Sequence, residues 1–345
     1  MQHDTSLENL NYGDEARPLS NDAELRYWLE NMLWYHRYSL DEIATVIGMP
    51  PSRIQDTLVR LNIHADRRPH RRPTAPLTVL PYPGGRHPRI GFLDGAVNPQ
   101  RETKISVFTP WDEKSYVVVD VPEAIFSNLG LTYLAHTHVP TLWTRQNIEL
   151  PRLEWSRHRG GVLDIKRVLP NGIAFGARVE PTQSEVRMEL WLKNGTKERL
   201  TDLRVQNCVM LRGAEGFNAQ SNDNKILQSP FALCGSEDGL RWIVTAWERC
   251  GRAWANPPCP CLHSDPIFPE CAPGKTVCLQ GRLAFYEGSD IQSELKRLSS
   301  IWSLPQSHNT GLETENQATF TLEEGLNAYC AKSSRHIPTR LGNVT

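Results

Sequence analysis

From Glu185 to Lys193 the chain alternates without a break, with Val186, Met188, Leu190 and Leu192 on one side and Arg187, Glu189, Trp191 and Lys193 on the other. A period of two fits a half-buried strand and no helix. Upstream, Val162–Leu169 and Ile173–Val179 flank Pro170-Asn171-Gly172, and Asn-Gly between apolar runs is a strong hairpin signal. Asn194-Gly195 then turns the chain toward Leu200–Leu211, whose Leu203, Val205, Val209 and Leu211 take the core side. Further strands are predicted at Ile105–Phe108, Tyr116–Val121, Trp242–Trp247 and Thr276–Tyr286. Many strands joined by short turns define a mainly β protein, a sandwich or barrel. The length of this region, residues 79–304, favours a large antiparallel supersandwich ending in a short helix, Ser289–Leu304.

The N-terminal quarter reads differently. Residues 1–21 are polar and are expected to form a flexible leader, and 22–63 a small tri-helical module. Leu25, Trp28, Leu29, Met32 and Tyr35 recur at helical spacing. Ser39 with Glu42 predicts a capping box, and Gly48 the left-handed residue that ends that helix. Ser52 with Gln55 predicts a second box, opening a helix that turns Ile54, Leu58 and Leu61 inward. Residues 39–61 resemble a helix-turn-helix of the sigma-factor or response-regulator type. Ala44 stands at the helix crossing, Gly48 in the turn and Ile54 at the apolar anchor; Thr57 departs from the usual aliphatic residue. The resemblance implies that Arg53, Gln55, Asp56 and Arg60 face a DNA major groove.

Residues 64–78 form a basic Pro/Arg-rich linker. Its Arg67, Arg68, Arg71 and Arg72 suit either a phosphate-tracking DNA arm or a solvated spacer. Beyond residue 305 the tail is polar and expected to be mobile. A net charge of −1 argues against a surface that grips nucleic acid throughout. With no signal peptide and no apolar run of membrane-spanning length, the expected location is cytoplasmic, with no membrane partner.

Asn256–Cys271 concentrates chemistry: three thiols, one imidazole and two carboxylates among five prolines. The prolines predict a stiff loop, neither helix nor central strand. His136 and His138 form a second candidate pair, since residues i and i+2 of a strand share a face. Their spacing from Gly130 is similar to the first half of a cupin metal motif, but no glutamate follows and no second half is present. His136, His138, Cys259, Cys261 and His263 are the candidate ligands of a single divalent metal such as zinc, although Cys-x-Cys is tighter than the usual zinc-knuckle spacing. A non-metal loop lining a pocket is the alternative. Arg86 and Arg89, flanking His87, suit an anionic group through forked hydrogen bonds.

Residues 77–287 resemble, in strand pattern and composition, the carbohydrate-active supersandwich group that includes mutarotases. The resemblance implies acid–base work on a sugar by His136 or His138 with Glu248, and a glycan or small-molecule ligand. It also implies that Arg86 and Asn256 orient the sugar beside Trp254, with His263 and Asp265 on the same loop. Three functions stay open at this level: a sugar-active enzyme, a DNA-binding regulator that senses a sugar-like molecule and acts as a homodimer, and a docking scaffold.

Overall fold

The computed structural model describes residues 16, 17, 19, 21–91, 102–135 and 139–303. Two antiparallel sheets pack face to face behind a small helical module, so the mainly β architecture is as predicted. The module comprises α1 (Asp22–Glu30), a π-helical turn at Asn31–His36, α2 (Leu40–Ile47) and α3 (Pro51–Arg60). Asn21 caps α1 through two backbone amides, and the Ser39–Glu42 capping box opens α2. Gly48 ends α2 at φ 73°. The second capping box does not form. Pro50 precedes α3 without a side-chain cap and Pro51 fills its first turn, where a missing amide donor costs nothing. Thr57 satisfies its hydroxyl one turn back, on the Arg53 carbonyl.

The strands are β1 (Val79–Pro81), β2 (Lys104–Phe108), β3 (Tyr116–Ser127), β4 (Gly130–Leu134), β5 (Ser156–Arg157), β6 (Leu163–Val168), β7 (Ala174–Pro181), β8 (Glu185–Lys193), β9 (Val205–Met210), β10 (Lys225–Gln228), β11 (Phe231–Gly235), β12 (Arg241–Trp247), β13 (Cys250–Ala255), β14 (Cys261–Pro266) and β15 (Thr276–Glu287). One sheet runs β1-β2-β3-β9-β14-β13, with β4 paired to β3; the other runs β10-β11-β12-β15-β8-β7-β6-β5. Their inner faces form one core. Val117, Val119, Val205, Val209 and Leu262 of the first sheet meet Val186, Met188, Leu190, Leu192, Leu279 and Leu283 of the second. Helix α4 (Ile291–Ser303) covers the outer face of the second sheet through Ile291, Leu295 and Leu298, against Phe231, Leu233 and Val244.

The outer face of the first sheet is shared. At one end the helical module closes over Tyr82, Phe108, Tyr116, Val118 and Met210. The contact is polar as well as apolar. His36 Nε2 lies 2.7 Å from Ser106 Oγ, Tyr38 donates to the Gly84 carbonyl at 2.8 Å, and Arg86 forks onto Glu42 at 2.8 and 2.9 Å. Gly85 (φ +80°) lies so close to α2 that a Cβ would come within 2.6 Å of Val46 Cγ2. At the other end the same sheet face is left open by the described residues, and there the candidate site lies.

The loop predicted for Asn256–Cys271 is the main correction to the fold. Cys261–Pro266 is an interior strand between β9 and β13. The prolines bracket it: Pro260 precedes it and Pro266 closes it, so no interior position lacks an amide donor. Cys278 is disulfide-bonded, while Cys208, Cys234, Cys250, Cys259, Cys261 and Cys271 are free.

Candidate functional site

Alternation builds the site. On β14, Leu262 points into the core, so Cys261, His263 and Asp265 point to the outer face. On β9, Val205 and Val209 face the core, which sends Gln206 and Cys208 outward. Cys261 pairs with Met210 and Leu262 with Val209, so His263 falls beside Cys208. Glu123 arrives by another route. Asp120 pairs with Cys208 and Ala124 with Gln206, leaving three residues of β3 opposite one of β9. Such a bulge re-aims a side chain, and here it delivers the Glu123 carboxylate to the outer face.

Of these, Glu123, Gln206, Cys261 and His263 line a cavity of about 270 Å³, together with Arg89, Trp254, Asn256 and the apolar Phe126, Leu131, Leu134 and Val139. Arg89 pairs with Glu123, and its guanidinium lies 3.4 Å from Cys208 Sγ. Gln206 donates to the other Glu123 oxygen at 2.9 Å. Cys208 Sγ, Cys261 Sγ and one His263 ring nitrogen all lie within 4.8 Å of one another. His263 Nε2 is 3.2 Å from Cys261 Sγ, while Nδ1 faces Asp265 Oδ1 at 3.7 Å. Asp265 is held by Trp254 Nε1 at 2.6 Å, the Asn207 amide at 3.2 Å and Arg252 at 3.3 Å. Trp254 stacks on the His263 ring at 3.9 Å and carries the Arg252 guanidinium 4.5 Å from its own centroid.

The electrostatics follow from this crowding. Burial pulls the His263 pKa down, but the negative charge at Cys208 and the nearby Asp265 carboxylate outweigh it and carry the imidazole up to about 10. Burial alone would raise the Cys208 thiol; the bond from Cys261 and the positive charges of His263 and Arg89 bring it well below the usual range. Cys261, hydrogen-bonded to Cys208 and Cys259, is raised and keeps its proton. Cys259, on the turn before β14, is lowered to about 7 chiefly by its bond with Cys261.

The cluster fits a soft divalent metal. Zinc binds thiolate at about 2.3 Å and imidazole at about 2.0 Å, which places tetrahedral donors roughly 3.5 to 3.8 Å apart. Cys208, Cys261 and His263, with one donor pair at 3.2 Å and all within 4.8 Å, reach that spacing by shifts of about 1 Å, and the Asp265 carboxylate behind His263 is the kind of outer partner that orients a ligating imidazole. Cys259, a predicted ligand, lies outside that three-donor group. Three protein ligands beside a cavity leave a fourth position for water or substrate.

The structure brings Trp254, Asn256, Cys261 and His263 together around one cavity, with Asp265 directly behind. Glu248 is elsewhere: its carboxylate accepts the Gln280 amide at 2.9 Å. Arg86 lines a different cleft and is bound to Glu42. His136 and His138 lie outside the described residues; Leu134 and Val139, on either side of them, line the cavity. Of the residues proposed for DNA, Arg53, Gln55 and Arg60 stand on the exposed side of α3, and Arg60 forks onto Asp22 at 2.5 and 3.0 Å. Arg67 bonds Asn62 and Arg72 is exposed. Arg71 donates to the Pro76, Ala75 and Gln183 carbonyls, and Arg68 lies over the Tyr35 ring, so neither is part of a free arm. Arg89, Glu123, Gln206 and Cys208 complete the site and were not among the predicted ligands or acid–base groups.

A two-sheet antiparallel β-sandwich carrying a polar cavity on one outer face is thus the class of protein that fold and site define. No protein-family model and no curated protein matches the chain. Solved structures similar to it include a proposed aldose 1-epimerase of Escherichia coli K12, with 8% identity over 40% of this chain and 69% of that one at a TM-score of 0.32. A protein of Synechocystis sp. PCC 6803 has 10% identity over 54% and 88% at a TM-score of 0.33. A proposed mutarotase of Salmonella typhimurium has 7% identity over 54% and 94% at a TM-score of 0.29. Likenesses this distant assign this chain no activity.

Proposed function

We propose that the cavity is the active site of a metal-assisted enzyme acting on a small polyhydroxylated, sugar-like molecule. The observation that carries this reading is the meeting of Cys208, Cys261 and His263 beside a cavity that Cys261, His263 and Glu123 line. A metal there supplies Lewis-acid polarisation of a substrate oxygen or acidifies a bound water. Glu123 takes the acid–base role that the sequence had given to Glu248, with Arg89 and Gln206 fixing its orientation. Asp265 and Trp254 set the plane of His263 as positioning residues. Arg89, Gln206 and Asn256 as donors, in one lining with Phe126 and Leu131, match a ligand with hydroxyls on its edges and C–H groups on its faces. The cavity volume, near the roughly 300 Å³ lower end for ligand pockets, suits one sugar ring.

Metal analysis of protein purified without chelator or affinity metal tests this. We expect about one zinc per chain, as for a single Cys₂His site, lost in Cys261→Ala and His263→Ala and kept in Glu123→Gln. Metal-free wild-type protein that also fails to take up zinc on titration overturns the reading. With metal present, Glu123→Gln should abolish any sugar turnover found in a screen of aldoses and uronic acids.

A second reading, a DNA-binding regulator, rests on the exposed side of α3, where Arg53, Gln55, Asp56 and Arg60 lie opposite the buried Ile54 and Leu58. It requires DNA affinity that falls steeply with salt and weakens in Arg53→Gln. A duplex titration at low ionic strength with no binding ends it.

A further inference from the structure

The turn between β13 and β14 holds a thiol that the metal cluster does not use. Cys261 is hydrogen-bonded both to Cys208, its neighbour in the cluster, and to Cys259 on that turn. Cys208 and Cys261 belong to paired strands, whereas Cys259 lies outside the sheet, in Pro257-Pro258-Cys259-Pro260. The carbonyls on either side of it are pinned. Gln220 donates to that of Pro258 at 2.6 Å, and the Leu211 amide to that of Pro260 at 3.0 Å. Cys259 itself makes no backbone hydrogen bond among the described residues. Its side chain can therefore re-aim without breaking a rung of the sheet, while the fixed φ of its proline neighbours keeps the turn beside Cys261.

Position decides which two thiols can join. Cys261 pairs with Met210 on β9, so Cys208 is its diagonal neighbour, two positions along. Such diagonals lie roughly 7–8 Å apart, whereas a disulfide needs its Cα atoms within about 7 Å. A bridge from Cys261 to Cys208 would have to drag a strand. Cys259 and Cys261 are two residues apart in sequence, a span of about 7 Å even when fully extended, and the chain bends at Cys259. Access favours the same pair. Cys259 is the most exposed of the three, at 8% against 1% for Cys261 and 0% for Cys208. Cys261 also lines the cavity, so a small oxidant has two ways in.

We propose that Cys259 and Cys261 are a site of reversible oxidation by hydroperoxides, closing to a disulfide that takes one donor from the metal cluster. The Cys259 sulfur attacks a peroxide oxygen, the O–O bond breaks, and water or an alcohol leaves with the thiol proton, giving a sulfenic acid. The Cys261 sulfur then attacks the Cys259 sulfur, the S–O bond breaks, and water leaves with the second proton. Two electrons pass from the two thiols to one hydroperoxide. A bridge closed over a single residue is strained, and strained disulfides are the readily reduced ones, so a dithiol restores both thiols. The oxidation needs no metal; only its effect on the cluster rests on the metal reading above.

The test is treatment of the full chain, stripped of metal, with a slight excess of hydrogen peroxide, followed by alkylation and peptide mass spectrometry. We expect Cys259 and Cys261 to lose alkylation together, joined to each other, and to regain it with dithiothreitol. The bridge should be absent in Cys259→Ser and retained in Cys208→Ser. Continued alkylation of both residues, over-oxidation of Cys259 without a bridge, or a Cys261–Cys208 bridge overturns the proposal. Zinc-loaded protein separates it from the metal reading. Peroxide should release zinc from wild type in step with the bridge, and several-fold more slowly from Cys259→Ser, which keeps all three donors. Equal release from the two overturns the effect on the cluster. A bridge in a chain that takes up no zinc supports the oxidation site and sinks the metal reading alone. Zinc uptake by a chain whose metal-free form makes no bridge sinks this proposal alone.

Discussion

The two ends of the first sheet's outer face each bury a histidine, and the two rings are driven in opposite directions. At the covered end His36 is enclosed by Tyr38, Tyr82, Phe108 and Tyr116, with ring centroids 5.0 to 5.8 Å away. Burial, with Arg86 and Arg68 nearby, takes it from an ordinary 6.5 to about 3, so it stays neutral. At the open end His263 is as buried, yet the charge at Cys208 and the Asp265 carboxylate carry it to about 10. Depth is common to both, and what differs is the neighbours. Aromatic neighbours give a ring that serves as packing and a hydrogen-bonding peg; thiols and a carboxylate give one suited to chemistry.

The most severe way to break the comparison is to remove the aromatic lid. Phe108 is buried and packs on Tyr35, His36 and Tyr116, so Phe108→Ala should cost about 3–5 kcal/mol in denaturant unfolding. A loss under about 1 kcal/mol would mean that the module is held without this cluster.

Acid sharpens it. The folded pKa of His36 lies below its unfolded value, so the unfolded chain binds the extra proton first. The stability at stake is fully present above pH 6.5 and is lost as pH falls toward about 3. Down to about pH 4 the contribution is on the order of 3 kcal/mol, at about 1.4 kcal/mol per pKa unit. Unfolding measured across that range should fall less steeply for His36→Gln than for wild type, and equal slopes would refute the neutral ring.

The smallest effect belongs to the open end. Gln206→Ala removes one hydrogen bond to Glu123 and should cost about 1 kcal/mol or less, with metal content unchanged. A loss as large as that of Phe108→Ala would show that the open end also carries the fold.

Much of this was legible beforehand where period decides. The alternation of Glu185–Lys193 and the Asn171-Gly172 turn gave the second sheet, because turn chemistry and burial agreed there. Assigning Val205 and Val209 to the core already sent Gln206 and Cys208 outward, a signal left unused because a solitary cysteine carries no mark of its neighbours. Asn256–Cys271 misled because prolines were weighed by number, when their positions, at the ends of β14, are what matter. Glu123 could not be read at all: a bulge breaks the alternation that would have pointed to it, and the pairing of β3 with β9 joins residues some eighty positions apart.

That bulge has an evolutionary consequence. Elsewhere on this sheet, alternate positions of a strand answer to separate demands, one set to the interior and the other to the helical module or the cavity, so either set can drift without the other. At residues 121–123 the separation fails, because an insertion or deletion there would reset the count for the strand beyond it. Point substitutions can therefore retune the chemistry of this surface freely, whereas length changes in β3 should be rare among any descendants that keep it.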